Sequence, residues 1–121
     1  MRALWCEDLR LNAHRQGTFF LHVLKDSDHR WDAFGRAWEI AIAEGLDTTI
    51  TEQHEPLATV FLYDGWDCSL PPYVRKLFGL RDSNGNFEGG SLAYMADHGL
   101  TFEEVAQIIE RGPRGLFYEE E

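Results

Sequence analysis

Apolar and polar positions alternate most regularly between residues 28 and 45, where DHRWDAFGRAWEIAIAEG places an apolar side chain at helical intervals. Trp31, Phe34, Trp38, Ala41 and Ile42 fall within one arc roughly 100° wide, which predicts an amphipathic helix over 28–45. Asp28 suits its N-cap, Asp32 precedes Arg36 by one turn as an ion pair, and Gly45 stands where a left-handed C-cap is needed. Ile40 points away from this stripe, so either a second element covers it or it is exposed.

The flanking segments read as strands. TFFLHVL (18–24) and LATVFLY (57–63) are β-branched and aromatic, and 18–24 is apolar on both faces, as a central strand would be. LDTTITEQ (46–53) is expected to pair antiparallel with 57–63, with Pro56 at a strand start where a missing N–H does least harm. In the segment 2–12, Leu4 with Cys6 and Leu9 with Leu11 alternate around Glu7-Asp8, the pattern of a broken or bulged strand. Together these give a ββαββ order. Beyond Asp64-Gly65, two prolines delay the next helix until 73–80, and Asn84-Gly85 predicts a tight turn or small hairpin within 81–90. Helices follow over 91–98, closed by Gly99, and 101–111, closed by Gly112-Pro113. The second carries a capping box at Thr101 and Glu104, a Leu100–Val105 staple, and a buried stripe of Phe102, Val105, Ala106 and Ile109. An edge strand over 116–118 precedes three solvent-exposed glutamates. The expected fold is a single α+β domain: an antiparallel sheet of about four strands, the 28–45 helix packed on it, and two or three shorter C-terminal helices.

Composition supports a folded core, with 44% apolar and 13% aromatic residues in a chain of 121, enough to bury about two-thirds of the unfolded surface. Charges interrupt every apolar run near the N-terminus and no run has membrane-spanning length, so a cytoplasmic protein is expected. Cys6 and Cys68 stand in no CxxC or Cys/His cluster and read as two free thiols. The net charge of −10 is unevenly distributed. Residues 1–36 are nearly balanced, whereas 37–74 hold seven acids and no Lys or Arg; three cations cluster in 75–81, and 82–121 return to nine acids against two arginines. Such a field repels nucleic acid and anionic membrane and draws a basic partner.

Most sequence patterns that carry chemistry are absent. Asp82, Asn84 and Asn86 begin like a calcium loop, but Phe87 stands where glycine is required and Ala93 where a bidentate acid is required. None of the five histidines stands in HExxH form or at a helical i, i+4 spacing, so no metal or cofactor site is expected. His22, inside an apolar strand, reads as a buried, hydrogen-bonded histidine. His98 suits a helix C-terminus and Ser91 an N-cap. GxSxG is missing, and EGGS lacks the lysine of a phosphate loop. Residues 91–111 resemble the opening of a helix-turn-helix, yet RGPRGLFYEEE supplies no recognition helix.

What remains is an acidic, aromatic surface. Tyr63, Asp64, Trp66, Asp67 and Tyr73 lie within the cation-free stretch, which also contains Glu39, Glu44, Glu52 and Glu55. Aromatic anchors beside carboxylates suit a basic, nucleic-acid-binding protein surface. The expected function is therefore non-enzymatic: an acidic binding protein, in its sharpest form a nucleic-acid-mimicking inhibitor. Size and charge are compatible with phage or mobile-element anti-restriction and anti-CRISPR proteins. The alternative is a small hydrolase with His22 or His54 as base and acids from the 64–67 loop. A homodimer using Ile40 is a third possibility.

Overall fold

In a computed structural model describing residues 1–118, the first ordered segment is a helix. The expected strand over 2–12 is instead α1 (Arg2–Leu11), whose Trp5, Cys6 and Leu9 are buried on one face. The apparent alternation came from Leu4 and Leu11, which are exposed. A short 3-10 turn leads to β1 (His22–Lys25), shorter than the predicted 18–24 because Phe19 adopts φ 68° and lies outside it. The chain then reverses through Asp26 and Ser27, at φ 52° and 64°, into β2 (Asp28–Trp31). Two successive positive φ values match the right-handed twist of a two-residue hairpin, here made without glycine.

The first part of the predicted 28–45 helix is thus a strand, and α2 runs only over Ala33–Ala43. Asp32, not Asp28, is the N-cap: its Oδ1 accepts from the Gly35 N–H at 2.6 Å. Arg36 does not pair with Asp32 but with both carboxylate oxygens of Asp8 on α1, at 2.7 and 2.9 Å. Gly45 does take the left-handed turn after the helix, at φ 109°. Phe34, Trp38 and Ala41 are buried as predicted, Ile42 is half-buried, and Ile40 is only 8% exposed.

Next come β3 (Ile50–His54) and β4 (Thr59–Tyr63), the expected antiparallel pair, and α3 (Pro72–Phe78). The hairpin β5 (Asn86–Phe87) and β6 (Gly90–Ser91) turns at residues 88–89, while Asn84-Gly85 makes only the preceding tight turn. The Asp82 carboxylate there accepts from the Asn84 and Asn86 N–H groups, the work of a polar turn. Ser91 caps α4 (Leu92–Asp97), and the capping box at Thr101 and Glu104 opens α5 (Phe102–Arg111). In place of an edge strand over 116–118 there is one bridge, Leu80 to Phe117; the terminal glutamates, 119–121, lie outside the described residues. The described residues form an α+β fold, with a four-stranded antiparallel sheet of order β2-β1-β4-β3 and five helices. No helix among them is long and apolar enough to cross a membrane.

The core sits among the helices rather than between helix and sheet. Trp5 and Leu9 of α1 meet Phe34 and Trp38 of α2, Phe78 of α3 and Phe102 and Val105 of α5. The Trp5 ring lies edge-on to Phe78 at 5.3 Å, and its indole N–H donates to the Ala33 carbonyl at 2.9 Å. Truncating such a side chain costs about 3–5 kcal/mol. The four-stranded sheet contributes Tyr63 to this cluster, with Phe61 packed at its margin, and every residue of β3 is exposed. The sheet is a wing on a helical body.

One close approach fixes the wing's angle. A β-carbon built on Gly35 would overlap the carbonyl oxygen of Leu21, so only glycine lets α2 sit this near the strand. Gly35→Ala should lower stability by at least about 2 kcal/mol in denaturant titration; an unchanged midpoint would contradict this packing. Ser27→Gly relieves a left-handed non-glycine residue and should raise stability by roughly 0.5–1 kcal/mol in the same assay. A loss on that substitution would contradict the hairpin geometry.

Candidate functional site

The registers of the sheet determine which side chains share a face. His22 stands opposite Trp31, Val23 opposite Val60, and Glu52 opposite Phe61. Directly paired residues project to the same side, so Trp31, His22, Phe61 and Glu52 form one row across the four strands. His22 is stacked between its neighbours, 4.2 Å from Trp31 and 4.1 Å from Phe61 between ring centroids.

On this face, beneath α2, four polar side chains form a continuous relay. The Tyr63 hydroxyl donates to the Glu39 carboxylate and lies 3.3 Å from the Trp31 indole N–H and 3.0 Å from Nδ1 of His22. Nε2 of His22 lies 2.8 Å from Nδ1 of His29. With its one proton given to Glu39, the tyrosine oxygen can only accept from the other two, so His22 carries its proton on Nδ1. His29 then donates from Nδ1. Burial, followed by the nearby His29 and Arg36, pushes the His22 pKa down to about 4. Burial and the bond to Glu39 hold the Tyr63 hydroxyl well above its ordinary range. The relay is a neutral histidine and a tyrosine anchored by one carboxylate, arranged to hold a proton pattern in place. His29 and the role of Glu39 were missed from sequence, because the β1–β2 hairpin that brings His29 to His22 has no glycine to announce it.

The sequence-derived surface divides on folding. Tyr63 is fully buried, its hydroxyl engaged between Glu39 and His22. Glu39 is half-buried for the same reason. It also lines a groove of about 460 Å³ between α1 and α2, with Leu4, Leu11, Ile40 and Glu44. Asp64 is exposed but engaged: at φ 52° it turns the chain, and its carboxylate accepts from the Tyr73 hydroxyl at 2.7 Å and the Thr49 N–H at 2.8 Å. Those two bonds hold its carboxyl below the usual range. Trp66 and Tyr73 remain 39% and 46% exposed. Glu44, Glu52 and Glu55 are exposed, and Asp67 is half-buried.

The hydrolase residues are not brought together. His54 lies at the end of β3 remote from Asp64, beside Thr59 and Glu52, and both ring nitrogens of His22 are engaged by Tyr63 and His29. Cys68 faces Asp67, and partial burial followed by that carboxylate raises its thiol pKa, the reverse of what a nucleophile needs. Among the described residues no group of three or more His, Cys, Asp or Glu is placed to hold a metal ion. Comparison with protein-family models, with curated proteins and with solved structures found no match.

Between its ordinary value of 6.5 and about 4, His22 of the unfolded chain takes up a proton that the folded chain refuses. Stability should therefore fall as pH drops through that window, by on the order of 3 kcal/mol. Asp32, pushed up to about 8 by burial, contributes the opposite slope, so the measurement is the difference between wild type and His22→Phe. The wild type should lose stability relative to the variant as pH falls from 6.5 to 4; parallel curves would contradict a buried neutral histidine.

Proposed function

We propose that this chain is a non-enzymatic acidic binding protein that engages the basic, nucleic-acid-binding surface of a partner protein, occupying the place of nucleic acid. The observation that carries this reading is the composition of the β3–β4 half of the wing and the segments that flank it. Residues 37–74 contain no Lys or Arg, and Glu44, Asp47, Glu52, Glu55 and Asp64 are all exposed there, with Trp66 and Tyr73 set among them. Mixed-sign charge is the ordinary state of a folded surface, so a stretch of this length with one sign concentrates negative charge on this part of the molecule. Exposed aromatics beside it supply the apolar area that charge pairs alone lack. The hydrolase reading has less support, since its residues do not converge.

The test is retention of proteins from a nuclease-treated cell extract on the immobilised chain, with stepwise salt elution. DNA- or RNA-binding proteins should be retained and then released as salt rises, because exposed charge pairs are screened within about 8–10 Å near physiological ionic strength. Reversing Glu52 and Glu55 to Lys should abolish retention without unfolding the chain; these two are the better choice, because Asp64 also holds its turn. Retention that ignores both salt and the reversal would overturn the proposal.

A further inference from the structure

The wing ends in an open strand edge, and its hydrogen-bond parity identifies which groups face outward. The Asp64 N–H donates to the Thr49 carbonyl and the Glu55 N–H to the Ala58 carbonyl, each at 2.8 Å. In an antiparallel pair, bonded residues alternate, so Thr49, Thr51, Gln53 and Glu55 turn their backbone groups toward β4. Ile50, Glu52 and His54 therefore direct theirs away from the sheet. β3 is the terminal strand of the order β2-β1-β4-β3, and these outward backbone groups have no partner among the described residues.

Beside this edge, on the sheet face opposite His22, lies an apolar groove of about 330 Å³. Phe20, Val23, Leu57 and Val60 line it, with Glu55 and Asp67 among its polar lining residues. Leu57 is 80% exposed, a large apolar side chain left in solvent next to unpaired backbone. Such an edge ordinarily invites pairing with another strand. A second copy is a poor occupant, since it would bring Glu52 and Glu55 against an identical acidic strand, and like charges across strands are unfavourable.

We infer that β3 binds an extended basic segment of its partner by strand addition, a segment in which Lys or Arg alternates with apolar residues. Its basic side chains lie on the Glu52 face, and its apolar side chains lie on the opposite face, beside Gln53 and toward Leu57 at the rim of the groove. Main-chain bonds to Ile50, Glu52 and His54 supply the affinity common to such additions, and the alternating side chains supply the selectivity. This inference rests on the acidic-binding reading above and specifies the partner's conformation.

Two synthetic peptides of equal charge separate the two ideas: one alternates Lys with Val over eight residues, and the other alternates Lys with Pro and cannot form a strand. The probe is amide hydrogen exchange of the full chain at low salt. The Lys-Val peptide should slow exchange at Ile50, Glu52 and His54 by roughly tenfold or more, and the Lys-Pro peptide should not. Glu52→Pro removes one outward N–H while leaving the β4 ladder intact, and Glu52→Gln removes only the charge. Proline should weaken Lys-Val binding well beyond glutamine, and the two variants should weaken Lys-Pro binding alike. Equal binding of both peptides with no protection at the three amides would overturn strand addition and leave the acidic-binding reading standing. Binding of neither peptide would overturn both.

Discussion

The contact of α2 against the backbone of Leu21 sets the relation of every other part. Gly35 lies one turn into the helix, at the point where any side chain would strike the Leu21 carbonyl. That same carbonyl accepts from the Asp32 N–H at 3.2 Å, so the start of α2 is held to the residue preceding β1 by both a bond and a missing side chain. From this seat, Trp38 packs on Tyr63 with ring centroids 5.4 Å apart, and Glu39 reaches the tyrosine hydroxyl. On its other side, Arg36 turns back to Asp8, and the Ala33 carbonyl accepts from Trp5. Helix α1, the sheet and the buried relay are all positioned by one helix.

Because the helices bury one another, the sheet is free to present its outer edge and much of one face to solvent. Hydrophobic burial, at roughly 25 cal/mol per Å², is concentrated in the helical body, and the wing relies on hairpin bonding and the Trp31–His22–Phe61 stack. This division permits an edge strand exposed at every position, which would be hazardous in a protein without charge on it. Acidic side chains on the edge disfavour pairing between identical copies. The proposed function thus follows from where the core is, as much as from the net charge of −10.

The elements legible in the sequence were those that carry their own end signals. Helix α5 was read correctly because its capping box, its stripe and Gly112 agree; β3 and β4 were read because their β-branched runs flank a proline. Helix α1 was not, since Leu4 and Leu11 break its stripe with exposed apolar residues and imitate alternation. The first hairpin was absorbed into α2 because Asp26 and Ser27 adopt positive φ without glycine, and Trp31 happens to continue the helical period of Phe34 and Trp38. That register error also hid the site. With residues 28–31 placed in a helix, His29 is far from His22, and Tyr63 reads as a surface anchor rather than the centre of a relay. The ββαββ order was right, but its first strand is the one expected second (18–24), its second was hidden in the predicted helix, and the strand expected over 2–12 is a helix.

The central claim is that this chain takes the place of nucleic acid on a partner, and competition tests it most directly. A nucleic-acid-binding protein retained by the immobilised chain would be offered duplex DNA or RNA at fixed ionic strength, and the composition of the resulting complexes determined by mass. Mutual exclusion, with nucleic acid releasing the partner in proportion to its own affinity, is the predicted result. A stable ternary complex of chain, partner and nucleic acid would contradict the account.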